Sequence, residues 1–113
     1  MINMKISELL ERKEKICNEI AGIGKMRRGT LNEYYHTSTL KDGTVKKRGP
    51  FYNITYSGEN GKTVSKSVAK QDIERIRQET TNYKTYRELS NEYADICEKI
   101  TNLTQPEDEA KKN

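Results

Sequence analysis

Phe51-Tyr52-Asn53-Ile54-Thr55-Tyr56 followed by Gly58-Glu59-Asn60-Gly61 and Lys62–Val68 is the stretch that decides the fold. Alternation puts Tyr52, Ile54 and Tyr56 on one face, the four-residue segment is turn chemistry, and Val64 and Val68 share a face on the return. This pattern predicts a β-hairpin. Upstream, Thr30–His36 is a third strand candidate, and Asp42-Gly43 marks a turn in the loop that follows it.

Outward from the hairpin the period changes from two to seven. Ile6, Lys13 and Ile20 are spaced by seven, as are Leu9, Ile16 and Ile23, with Leu10 and Cys17 on the shoulder. This stripe predicts a first helix that Gly22 and Gly24 stop. Its outer face offers i,i+4 pairs such as Glu8–Arg12 and Glu11–Lys15. Downstream, Tyr86, Tyr93 and Ile100 match Leu89, Ile96 and Leu103 in the same spacing, and Ile73, Ile76 and Tyr83 extend the face. A second helix is expected from Ala69 to Leu103, roughly 50 Å at 1.5 Å per residue.

Run antiparallel, the two stripes pair Ile6 with Ile100, Leu9 with Ile96, Ile16 with Leu89 and Ile20 with Tyr86. Lys13 then falls opposite Tyr93, where its stem lies along the ring. Residues 69–82 overhang the shorter helix and need another partner, for which the sheet is the candidate. The expected class is therefore α+β in the order α-β-β-β-α: a coiled-coil-like antiparallel helix pair joined by a small antiparallel sheet. A single domain over 1–105 and a flexible polar tail over 106–113 complete the reading.

The chain has 113 residues, 32% hydrophobic and 34% charged, with a formal net charge of +4. That is a core-poor small domain, too short for a β/α barrel. No apolar run approaches the roughly 20 residues of a membrane span, and the start Met1-Ile2-Asn3-Met4-Lys5 carries no secretory apolar segment. A cytoplasmic protein that avoids membranes is expected. The charge is unevenly spread. Residues 25–72 hold ten basic groups against four acidic, while residues 1–24 balance and 73–113 are net acidic.

Enzyme chemistry finds no foothold. His36 is the single histidine, and with two separated cysteines it cannot assemble a zinc site. Gly22-Ile23-Gly24 lacks the spacing of a phosphate loop, and no Gly-x-Ser-x-Gly elbow occurs. The carboxylates interleave with Lys and Arg as on a solvated helix face, and Cys17 and Cys97 read as small core residues. No enzyme activity, cofactor or metal is expected.

What remains is a mixture of cations and aromatics. Lys25, Arg27 and Arg28 precede Tyr34 and Tyr35; Lys46, Lys47 and Arg48 precede Gly49-Pro50 and Phe51; Lys62, Lys66 and Lys70 follow. Cations neutralise phosphates and aromatic faces stack on bases, so these positions, with Tyr34, form a candidate nucleic-acid site. Lys46-Lys47-Arg48 is its strongest phosphate contact. The competing structural reading makes Tyr52 and Tyr56 core residues of an ordinary strand.

Several stretches together resemble an uncharacterised family of small prokaryotic proteins found beside transposases and other mobile-element genes. They are Leu9-Leu10-Glu11-Arg12-Lys13-Glu14, Gly29-Thr30-Leu31, Gly49-Pro50-Phe51-Tyr52-Asn53-Ile54-Thr55-Tyr56, Gly61-Lys62-Thr63, Val68-Ala69-Lys70 and Asn82-Tyr83-Lys84-Thr85-Tyr86-Arg87-Glu88-Leu89. The resemblance implies a helix–sheet–helix layout and a mobile-element setting. Many relatives carry a cysteine cluster before the Gly-Pro element. Here that stretch runs from His36 to Gly43 without a cysteine, so no metal or thiol role is carried over.

Three functional classes follow. The first is a non-enzymatic nucleic-acid-binding accessory protein, DNA or RNA, serving a transposase or recombinase. The second is an inhibitor of a host defence nuclease, anti-CRISPR-like, acting by protein–protein binding. The third is a structural homodimer in which Leu10, Cys17, Ser90 and Cys97 form a second seam.

Overall fold

The computed structural model describes residues 5–104; the tail expected over 106–113 lies outside the described residues. The chain runs α1 (Ile6–Ala21), β1 (Thr30–Thr39), β2 (Val45–Ser57), β3 (Thr63–Val68) and α2 (Ile73–Thr104), with short 3-10 turns at Glu59–Gly61 and Lys70–Asp72. This is the α+β order that the periodicities predict. The described chain divides into two compact units, one of residues 5–24 and 84–104, the other of Lys25–Tyr83.

The first unit is a helix pair. Leu9, Ile16 and Ile96 form its buried core, with Ile20, Leu89, Tyr93 and Ile100 packed around them. Heptad spacing makes this possible, because residues seven apart return to one side of a helix. Two cross-helix contacts fall close to the expected pairing. The Arg12 guanidinium donates through Nε and Nη2 to the two carboxylate oxygens of Glu92, each at 2.7 Å. One residue along, Lys13 Nζ lies 5.6 Å from the Tyr93 ring centroid, as expected for a polar residue in an apolar stripe. Arg12 thus turns to α2 and to Glu19 (3.5 Å) rather than to Glu8, because a bidentate carboxylate is the better partner. Cys17, expected in the core, is exposed, and both cysteines are free.

The second unit is a three-stranded antiparallel sheet in the order β1-β2-β3 with the first turns of α2. Residues 73–83 of α2 therefore belong with the sheet, as the overhang of the longer helix requires. Registers Leu31↔Ile54 and Ile54↔Lys66 place Leu31, Ile54 and the stem of Lys66 in one row. Ile54 and Ile76 are the buried apolar residues of this unit, and Tyr52, Tyr56, Val64 and Val68 are half-buried. The opposite face is polar: Asn32 Nδ2 donates to Asn53 Oδ1 at 2.9 Å and to Thr55 Oγ1 at 3.2 Å.

β1 and β2 are longer than the sequence pattern indicates. Strand β1 continues to Thr39, and β2 begins at Val45, so Lys46, Lys47 and Arg48 sit on a strand instead of in a loop. The added pairing (His36↔Arg48, Thr37↔Lys47, Ser38↔Lys46) carries no apolar alternation and rests on backbone hydrogen bonds. An irregularity between Tyr34 and His36 accommodates Gly49, whose φ of 134° no L side chain adopts comfortably. A Cβ there would stand 2.9 Å from a ring carbon of Tyr35, so the strand crossing needs glycine on two counts.

Candidate nucleic-acid interface

β3 pairs with β2 only from Tyr52 to Ser57. Beyond Tyr52, toward the β1–β2 turn, the sheet narrows to a two-stranded ribbon, and every residue from 35 to 51 is exposed. The ribbon carries four cations and one carboxylate, and that carboxylate, Asp42, is held in the turn by the Thr44 amide at 2.9 Å, which lowers its pKa. Strand alternation divides the cations. Lys46 and Arg48 lie on the face of Tyr34 and His36; Lys47 lies on the other, its Nζ 4.1 Å from the Tyr35 ring centroid.

The first face also holds an aromatic cluster. Phe51 sits opposite Tyr34 with centroids 5.8 Å apart, and the His36 ring is 4.9 Å from Phe51 and 5.4 Å from Tyr34, edge-on. His36 was visible in the sequence as a lone histidine; only strand register reveals that it joins Tyr34 and Phe51. On the other face the Tyr35 hydroxyl donates to Glu33 at 3.0 Å, which raises the phenol's pKa.

The remaining candidates are scattered. Arg27 is taken up internally: its Nε donates to Glu79 at 2.9 Å, and its amide donates to the Glu79 carbonyl at 3.0 Å. Arg28 lies 5.8 Å from the Tyr83 ring centroid, and Lys66 lies 5.9 Å from that of Tyr56. Lys25 is exposed beside Asn82, whose Nδ2 donates to the Lys25 carbonyl at 2.8 Å. Lys62 follows the β2–β3 turn at the opposite end of β2 from Lys46, and Lys70 is exposed where the chain enters α2. Among the described residues Lys46, Lys47 and Arg48 form no ion pair, whereas Arg12, Arg27, Arg75 and Arg77 do.

Glu79 anchors the sheet unit. It is the buried charged side chain there, gripped by Arg27 and, at 3.2 Å, by Arg75. The Arg27 hydrogen bond holds its carboxyl below the usual range, opposed by desolvation and assisted by Arg75. A depressed folded pKa contributes stability that is fully present above the unfolded value of about 4.3 and lost as pH falls through the folded value. Urea midpoints should therefore drop on moving from pH 6 to pH 3, and Glu79→Gln should flatten that drop while lowering the midpoint at pH 6. Glu92, lowered by Arg12, and Asp42 leave a residual slope in the variant.

In the helical unit the residues of the expected second seam stay open: Leu10 is 48% exposed, Cys17 is exposed, and Ser90 and Cys97 are half-buried. Among the described residues no helix is long and apolar enough to cross a membrane.

Searches against protein-family models, curated proteins and solved structures return no match. The class these features define is an α+β protein with a cationic two-stranded ribbon.

Proposed function

We propose that this protein binds nucleic acid without catalysis, using the ribbon of residues 35–51 as its principal contact. The observation that carries the reading is the ribbon itself: exposed along its length, cationic, and, among the described residues, free of ion pairs at Lys46, Lys47 and Arg48. A two-stranded ribbon alone is marginally stable in water, so one extended beyond the third strand without burying a core gains little for folding. It suits a groove. The B-DNA major groove is about 12 Å wide and admits a two-stranded ribbon. In that arrangement Lys46 and Arg48 approach one side with the Tyr34–His36–Phe51 cluster, and Lys47, braced on Tyr35, reaches a flanking phosphate.

Phosphate contacts give affinity and salt dependence, not sequence preference. The resemblance to mobile-element-associated proteins supplies a setting, that of an accessory to a transposase or recombinase acting on the same nucleic acid. The test is a salt titration with random-sequence DNA and RNA duplexes. Log affinity should fall linearly with log salt, with a slope of about −0.9 per phosphate contacted on B-DNA. Absence of binding at low salt, with a nuclease recovered in a pulldown that survives nuclease treatment of the lysate, would reverse the reading in favour of a protein partner.

A further inference from the structure

Where β3 ends at Val68, β2 runs on without a neighbour on that side, and a cavity of about 680 Å³ opens in the notch. Its walls are the free stretch Gly49-Pro50-Phe51 with Tyr34 and Tyr52, the end of β3, and the entrance to α2 with Lys70, Glu74 and Arg77. The volume lies in the range of small-ligand sites, about 300–1,000 Å³. Tyr34, Phe51 and Tyr52 line it together with two cations. Lys70 has no carboxylate partner among the described residues, and Arg77 is held only by Glu74, at 3.6 Å, whose side chain is 87% exposed.

We infer that this cavity receives an unpaired nucleobase of a bound strand, with the adjoining phosphate on Lys70 and Arg77. The inference rests on the nucleic-acid reading and adds a site and a ligand class to it. The chemistry selects this ligand over the obvious rivals. A peptide strand adding to the free edge of β2 would need an unbroken row of amides, and Pro50 has none to give. A purely apolar ligand would leave Lys70 and Arg77 without a role. An aliphatic carboxylic acid would use the cations but not the aromatic lining. A nucleotide uses both, because every base offers a π-face and every linkage a negative charge. Tyr34 and Phe51, 5.8 Å apart, are too close to admit a ring between them, so the base stacks on their outer surface.

Fluorescence anisotropy with three labelled probes tests this: a mixed-sequence single strand, an abasic strand of equal length, and the matched duplex. The base-bearing strand should bind at least about fivefold tighter than the abasic one. Phe51→Leu, which keeps bulk but loses the aromatic face, should bring that ratio toward one, and Lys70→Gln should weaken the base-bearing strand more than the duplex. Lys46→Ala should weaken all three probes and preserve the ratio. Circular dichroism checks that each variant keeps its strands. Equal affinity for the base-bearing and abasic strands overturns the base site and leaves the ribbon reading standing, as does a preference that survives both cavity variants. Failure of all three probes to bind overturns both.

Discussion

Ile16→Ala should lower stability by about 2–5 kcal/mol, the usual range for truncating a fully buried aliphatic side chain. Ile16 has no exposed surface, Leu9 has 1%, and with Ile96 they make up the buried core of the helix pair among the described residues. Half-exposed neighbours such as Ile20 and Ile100 cannot close the void without uncovering themselves. A small domain has about 5–15 kcal/mol in total, so the loss is a large fraction of it. Ellipticity at 222 nm followed through urea should show a midpoint shift with little change in slope. The exposed Leu10→Ala, on the same helix, should shift the midpoint by less than about 0.5 kcal/mol equivalent. Equal effects from the two would mean that the stripe at Leu9 and Ile16 is not what joins the helices.

The second large effect is expected on binding. Replacing Lys46, Lys47 and Arg48 together by Ala should reduce affinity on every sequence alike and cut the salt slope by about 3. At roughly 1 kcal/mol for each exposed charge contact, the combined loss is about 100-fold. Because none of the three forms an ion pair among the described residues or buries a side chain, their removal should leave the urea midpoint within about 0.5 kcal/mol of the parent. The ribbon's two faces permit a finer division. Lys46→Ala with Arg48→Ala removes the cations beside the aromatic cluster, while Lys47→Ala removes the one braced on Tyr35. If the ribbon enters a groove with the cluster inward, the double variant should account for most of the lost affinity. A triple variant with unchanged slope would dissociate the ribbon from phosphate binding.

The site was only partly legible in the sequence. Lys46-Lys47-Arg48 and the neighbouring aromatics stand out as a cluster, and Tyr34 and Tyr35 point to opposite faces by strand parity alone. Arg27 looked equivalent to Arg28, yet it is committed to Glu79, whose position 52 residues away is set by how α2 meets the sheet unit. Lys62 looked like part of the same patch, but antiparallel pairing sends it to the far end of β2.

The order of elements and the helix register are written into the chain locally. Seven-residue spacing and strict alternation are local properties, and each side chain's face follows from them whatever the rest of the chain does. Leu9 with Ile96 and Lys13 with Tyr93 could therefore be matched in advance. The length of the ribbon, the fate of Arg27 and the notch beside Val68 arise only once the folded chain brings distant segments together. The ribbon from Lys46 to Gly49 is joined by backbone hydrogen bonds without apolar alternation, a Glu79 ion pair depends on two segments meeting, and a cavity exists only where one strand stops and its neighbour continues. None of these leaves a period in the chain, because each is a relation between residues distant along it.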